Sequence, residues 1–176
     1  YKRQTQKYMS RAGCVFMSVG VVANGFSDEI KICLIIIAGL LCYAAYRDIK
    51  TLEVPLFIVT VGTSLQTVLY IYLMAMSSGE TKIHFISSFI CGLFLFLLSC
   101  VCMKYGKLGG ADALISFLIG YALQIDGIIA VMLAYCMALP YMIYLHFSKK
   151  KNEYPFVPYL TAAYLLVLIY EFCIYQ

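Results

Sequence analysis

The chain has 176 residues, of which 63% are hydrophobic and only 12% charged, and its formal net charge at pH 7 is +4. A water-soluble domain carries roughly a quarter charged residues and could not bury this much apolar surface, so a soluble globular fold is excluded. The basic residues lie at the ends of apolar runs, where they anchor helices at lipid headgroups, so the positive charge does not indicate nucleic-acid binding. We predict an integral membrane protein of the all-α class.

Residues 1–29 are predicted to form a segment of their own. It begins with four basic residues, Lys2, Arg3, Lys7 and Arg11, and continues into a moderately apolar stretch. The basic charge favours the cytoplasm, whereas an even number of later crossings puts this segment outside. A helix lying in the membrane interface and a seventh, imperfect crossing both resolve the conflict, and both stay open.

Residues 30–176 are predicted to form one membrane-embedded domain. A helix needs about 20 apolar residues to cross a bilayer, and continuous apolar runs exclude a barrel. Six runs predict six crossings, and the fourth is short and begins at a glycine cluster, so we expect at least one of its ends inside the bundle. The predicted crossings are residues 30–47, 54–76, 83–103, 111–124, 126–147 and 155–175.

The loops between these crossings fix the orientation. Alternate loops carry little basic charge apart from Lys82, whereas the other three are basic. By the positive-inside rule we expect the basic loops on the cytoplasmic side. Their basic residues are Arg47 and Lys50, then Lys104 and Lys107, then Lys149, Lys150 and Lys151.

No metal or organic cofactor is expected. Six of the eight cysteines lie inside apolar runs and no C-x-x-C pair occurs, so the cysteines are interpreted as packing residues. His84 and His146 fall at helix ends and are interpreted as interfacial residues. No serine–histidine arrangement competes for a catalytic role.

Two of the four aspartates, Asp48 and Asp112, flank apolar segments on the predicted cytoplasmic side. A lone Asp in such a place is more often a solvated loop residue or a helix cap. Carboxylates at the membrane edge are nevertheless costly and point to function, and two on one leaflet strengthen that interpretation. Asp126 is predicted in a short loop on the opposite face, and Glu171, inside the last crossing, is given no role.

The local sequences around these aspartates are distinctive. Asp48 is followed, after six intervening residues, by Pro55, which starts the next helix well. Asp112 closes the sequence Gly109-Gly110-Ala111-Asp112 at a helix start, where small residues are expected to let another backbone approach closely. We therefore expect Gly110→Leu to push the fourth helix away from its neighbours. A third stretch, Pro155-Phe156-Val157-Pro158, opens the last crossing.

In this order and spacing, the three stretches resemble the type IV prepilin peptidase family, the GxGD-type membrane aspartic peptidases that include preflagellin and Tad-pilin enzymes. The resemblance covers residues 30 to the end and implies two catalytic residues, Asp48 before Val54-Pro55 and Asp112 in the glycine motif. The stretch from Pro155 to Pro158 matches the start of the family's last helix. The resemblance implies the short form, without the N-methyltransferase region.

The sequence departs from the family pattern at three positions. Ala111 replaces the second glycine of the motif, Leu56 stands where Asn or Asp often follows the proline, and Leu114 stands where Lys is common. None of these changes removes a carboxylate, although they put the details of substrate binding in doubt. Lys50, Glu53 and Lys107 share the predicted cytoplasmic face and are candidates for tuning the pair or holding substrate, with solvated anchoring the favoured interpretation.

The resemblance implies an aspartic endopeptidase that removes the leader peptide of type IV pilin-like precursors, at the cytoplasmic face of a prokaryotic plasma membrane and without a cofactor. The alternative is a small ion or solute transporter that uses the same two aspartates. A transporter is expected to carry polar residues at mid-membrane in both halves, and the predicted crossings are nearly free of them. A catalytically idle scaffold is disfavoured because both aspartates stand at the motif positions. The sequence identifies neither the precursor that is cut nor an oligomeric state.

Overall fold

The computed structural model describes residues 28–76, 80–105, 109–147 and 155–174, and every secondary-structure element in them is an α-helix. The predicted all-α bundle is confirmed. The predicted N-terminal helix lies outside the described residues, apart from Asp28 and Glu29, which begin the first helix. The helices are α1 (Asp28–Thr51), α2 (Leu56–Met76), α3 (Glu80–Tyr105), α4 (Gly110–Leu123), α5 (Ile125–Phe147) and α6 (Val157–Ile174).

Four of these helices are long and apolar enough to cross a membrane, within α1, α2, α3 and α5. Their outer faces carry large apolar side chains that nothing in the bundle covers, such as Ile32, Phe94 and Ile129. Lipid is the solvent that such a surface fits, and the chain is a membrane protein. The other two helices are shorter, with 14 residues in α4 and 18 in α6.

The short helix α4 lies at the centre of the bundle. It packs against α2, α3, α5 and α6, and ten of its residues are buried, including all of its last turn. A helix surrounded by protein does not have to match the thickness of the lipid. The expectation that at least one end of this helix lies inside the bundle is therefore confirmed at its C-terminal end.

Three glycines allow α4 to pack this closely. A Cβ at Gly120 would lie 3.0 Å from the Cys91 carbonyl oxygen of α3 and 3.0 Å from the Gly92 Cα. A Cβ at Gly127 of α5 would lie only 2.8 Å from the Gly120 Cα, because Gln124 alone, with φ of 56°, joins α4 to α5. Backbones come this close only where side chains are absent.

Helices α1 and α6 run antiparallel and are joined by side chains of α6. The Tyr164 hydroxyl donates to the Leu34 carbonyl oxygen at 3.0 Å, and the Thr161 hydroxyl donates to the Leu41 carbonyl oxygen at 3.1 Å. This register brings the start of α6 to the C-terminal end of α1. We call this end of the bundle, which also holds the start of α4, the near end, and the opposite end the far end.

Candidate active site

Asp48 lies in the last turn of α1. The helix continues four residues beyond residue 47, where the first crossing was predicted to end, so Asp48 belongs to the helix. Hydropathy falls at Arg47, but the backbone hydrogen bonds continue until the Leu52 N–H donates to the Asp48 carbonyl oxygen at 2.9 Å. Asp48 is on the same buried face as Leu41 and Ala44, and its side chain is only 7% exposed.

The Asp48 carboxylate holds the start of α6. The Val157 N–H donates to the Asp48 Oδ2 at 3.1 Å. The first N–H groups of a helix have no partner within it, so each needs an acceptor from elsewhere. Pro158 has no N–H to satisfy, and the next two N–H groups, of Tyr159 and Leu160, donate to the Phe156 carbonyl oxygen. The third motif, from Pro155 to Pro158, is therefore built around Asp48.

Asp112 lies in the first turn of α4 and is 8% exposed. Its Oδ2 accepts the Gly109 N–H at 2.8 Å, while the Asp112 N–H donates to the Gly109 carbonyl oxygen at 3.1 Å. The N-terminal end of a helix carries partial positive charge and stabilises a carboxylate there. Asp112 is thus fixed by its own helix, and Asp48 by the start of another.

The two aspartates come together at the near end. The Asp48 carboxyl lies close enough to that of Asp112 for the two charges to interact. Two neighbouring carboxyls cannot both ionise cheaply, so such a pair can share a proton and offer one base and one acid. We call Asp48 and Asp112 the acid pair. Among the described residues, no group of three or more His, Cys, Asp and Glu side chains could hold a metal ion.

Four further residues were predicted to support the acid pair, and the structure describes three of them. Pro55 directly precedes α2, and its carbonyl oxygen accepts the Ile58 N–H at 3.1 Å. Glu53 is exposed, and so is Lys50, whose Nζ donates to the Tyr46 hydroxyl at 2.8 Å. Lys50 is thus engaged with a residue of its own helix. Lys107 lies outside the described residues.

The glycines of the second motif do not have the predicted role. Gly110 is exposed, and among the described residues no heavy atom lies within 4 Å of the position a Cβ would take. A Cβ at Gly109 would meet the Asp112 Oδ2 at 3.5 Å, an ordinary contact. The expected close approach of another backbone here was wrong, and so was the expectation that Gly110→Leu would push the fourth helix away from its neighbours. Small residues in a sequence do not reveal which side of a helix they face, and Ala111 simply continues the helix, half-buried.

One residue without a predicted role, Tyr135, approaches the acid pair. The Tyr135 hydroxyl of α5 lies near Asp112 and near Ser99 of α3. The Tyr135 ring packs against Phe156 with 5.1 Å between ring centroids. The signal in the sequence was a hydroxyl group in the middle of an apolar run, which packing alone does not require.

A second pair of carboxyls lies at the far end. Asp126 belongs to the first turn of α5, so its predicted place in a loop was wrong, although it does lie at the opposite end from the acid pair. Its carboxyl lies within reach of the Glu171 carboxyl on α6, so the two can share a hydrogen bond when one of them holds a proton. We call Asp126 and Glu171 the distal pair. Glu171, given no role from the sequence, therefore faces a carboxyl of α5.

No family model, curated protein or solved structure matches the chain. The candidate site is thus defined by its motifs and its geometry.

Proposed function

We propose that this protein is a membrane aspartic endopeptidase of the prepilin peptidase type, with Asp48 and Asp112 as its catalytic pair. The supporting observation is that three motifs, distant in the sequence, meet at one end of the bundle. The end of α1 supplies Asp48, the start of α4 supplies Asp112, and the start of α6 donates the Val157 N–H to Asp48.

The acid pair would act by general acid–base catalysis. The ionised carboxyl takes a proton from water while the water oxygen bonds to the scissile carbonyl carbon, and the protonated carboxyl donates a hydrogen bond to the carbonyl oxygen. The peptide nitrogen then takes a proton and the C–N bond breaks, which leaves a new carboxyl and a new amine. The pair behaves as one titrating unit, so the two roles belong to the pair.

The proposed substrates are type IV pilin-like precursors, which carry a basic leader ahead of an apolar helix. A prokaryotic plasma membrane is what the family resemblance implies, and charges at the two ends of the bundle favour a cytoplasmic near end. Lys50 ends α1 and Lys104 ends α3 there, whereas the far end carries the distal pair. By the positive-inside rule the near end faces the cytoplasm. Scissile bonds just before a substrate helix would then lie level with the acid pair.

The buried polar side chains between the two ends favour a peptidase over a transporter. Two of their contacts join neutral groups: Gln66 accepts the Cys33 thiol, and Ser88 bonds the Tyr70 hydroxyl. A transporter would need charged groups, or groups that exchange protons, at that depth in the bundle.

Precursor processing tests the proposal directly. Reconstituted protein is mixed with a type IV prepilin, and precursor and mature forms are separated on a gel. We expect conversion by the wild type and by Asp126→Asn, the matched control at the far end, and none by Asp48→Asn or Asp112→Asn. Membrane abundance and thermal unfolding are compared for all four proteins. No conversion by the wild type, or full conversion by Asp112→Asn, would contradict the assignment.

A further inference from the structure

Two buried hydroxyls, those of Ser99 on α3 and Tyr135 on α5, lie close to each other but outside ordinary hydrogen-bond distance. The Ser99 side chain is 1% exposed, and neither the Ser99 Oγ nor the Tyr135 Oη has a hydrogen-bond partner in the part of the chain that the structure describes. The two groups approach each other across the α3 and α5 interface. Native proteins rarely leave buried hydroxyls unpaired, so such groups call for an explanation.

Tyr135 connects the surroundings of both aspartates. Its hydroxyl lies near the Asp112 carboxyl, and its ring packs on Phe156. Phe156 directly precedes Val157, whose N–H donates to Asp48. One side chain therefore packs on the segment bonded to Asp48 and carries a hydroxyl that interacts with the charge of Asp112.

We propose that Tyr135, oriented by Ser99, is a positioning residue of the acid pair. When water or substrate occupies the site, the Tyr135 hydroxyl donates a hydrogen bond to the Asp112 carboxylate, and the Ser99 hydroxyl donates to the Tyr135 Oη. This role rests on the proposed peptidase function. A hydrogen bond to a carboxylate stabilises its ionised form, so Tyr135 keeps one member of the pair ionised and ready to act as the base.

Among the described residues, the other titratable groups that act on Asp112 and Tyr135 lie on α1 and α3. Asp48 on α1 opposes the ionisation of Asp112 because the two charges repel. Cys102 on α3 is half-buried and lies near the Tyr135 hydroxyl, where a thiol is only a weak hydrogen-bond partner. The balance between repulsion by Asp48 and donation by Tyr135 would set the pH at which the acid pair works.

The pH dependence of cleavage tests this role. Initial rates are measured across acidic to neutral pH for the wild type, Tyr135→Phe, Ser99→Ala and Tyr144→Phe. Tyr144 is the matched control, since it lies on the same helix and is 61% exposed. We expect the acidic limb of the Tyr135→Phe profile to move to higher pH by roughly one unit. Ser99→Ala should move it less, and Tyr144→Phe not at all. A slower Tyr135→Phe protein with an unmoved acidic limb would overturn the proposal.

Infrared difference titration makes the test independent of peptidase activity. The carbonyl band of protonated Asp112 is identified by its absence in Asp112→Asn, and its disappearance is followed as pH rises. The band should persist to higher pH in Tyr135→Phe than in the wild type. Equal midpoints in both proteins would overturn the role of Tyr135 while cleavage by the wild type still supported the peptidase. The predicted shift in a protein that cuts no prepilin would support the hydrogen bond and reject the proposed function.

Discussion

The two ends of the bundle each hold a pair of carboxyls, and the pairs are used differently. At the near end Asp48 accepts the Val157 N–H and Asp112 accepts the Gly109 N–H, so each carboxyl is held by the start of a helix. At the far end the Asp126 and Glu171 carboxyls face each other from α5 and α6. The carboxyls of the acid pair are each held by backbone N–H groups at helix starts, whereas among the described residues the distal pair has no such backbone donor. Proximity of two carboxyls is therefore not enough to indicate a catalytic site.

The largest expected difference between the two pairs is in the rate of prepilin cleavage by their variants. Asp48→Asn or Asp112→Asn removes an exchangeable proton from the catalytic cycle and should lower the rate on the order of 10²–10⁴-fold. Asp126→Asn and Glu171→Gln can still form a hydrogen bond across the far end and should leave the rate within about twofold. Single-turnover assays in liposomes measure both. A large loss in the distal variants alone would place the chemistry at the other end.

Adding one methyl group to a glycine should change the free energy of unfolding in opposite directions at the two ends of the bundle. Gly127→Ala puts a Cβ 2.8 Å from the Gly120 Cα and should lower the free energy of unfolding by about 1–3 kcal/mol. Gly110→Ala meets no described atom within 4 Å and should raise it by about 0.5–1 kcal/mol, because alanine favours the helix. Thermal unfolding in detergent compares the two variants. Equal destabilisation of both would refute the close packing at the far end.

The distal pair should make stability depend on pH. Two facing carboxyls can hydrogen-bond only while one of them holds a proton, and they repel each other when both ionise, so thermal stability should fall as pH rises. The expected loss is about 1 kcal/mol, and Glu171→Gln should abolish the dependence because its amide donates at any pH. Unfolding temperatures measured from neutral to alkaline pH provide the check. A wild type and a Glu171→Gln protein with the same dependence would show that the pair does not share a proton.

The smallest expected effect concerns the turn after Asp48. Leu52 closes α1 with φ of 53°, in the left-handed region that side chains disfavour. Leu52→Gly should relieve this strain, although glycine loses more backbone freedom on folding. The expected net result is a free energy of unfolding that is higher by about 0.5–1 kcal/mol. Thermal unfolding of Leu52→Gly and of the neighbouring Glu53→Gly, as control, measures the gain. Destabilisation by Leu52→Gly would indicate that the Leu52 side chain contributes packing instead.

The helices could be predicted from the sequence because apolar runs of this length have few other structures in a bilayer. The end of α1 could not, since Arg47 and Lys50 stop the apolar run but not the helix. Loop charge predicted that Asp48 and Asp112 share one end of the bundle. The Val157 N–H bond to Asp48 depends on how α6 packs against α1, and no local pattern encodes it.

The residues around the two pairs were harder to predict for the same reason. Gly110 looked like a packing residue but faces outward, whereas Gly120 and Gly127, which do allow close packing, stand in ordinary apolar sequence. Glu171 and Tyr135 gain their partners only from neighbouring helices. Hydropathy and spacing locate helices and their ends, but side-chain partners across helices follow from packing.

A double-mutant cycle on the acid pair tests the central claim most directly. Single-turnover cleavage rates are measured in liposomes for the wild type, Asp48→Asn, Asp112→Asn and the double variant, with correct folding verified for each. If the two carboxyls act as one unit, either substitution removes the whole function, and the double variant should be no slower than the single ones. Independent effects that multiply in the double variant, or an Asp48→Asn protein that cleaves at the wild-type rate, would contradict a catalytic pair at the near end.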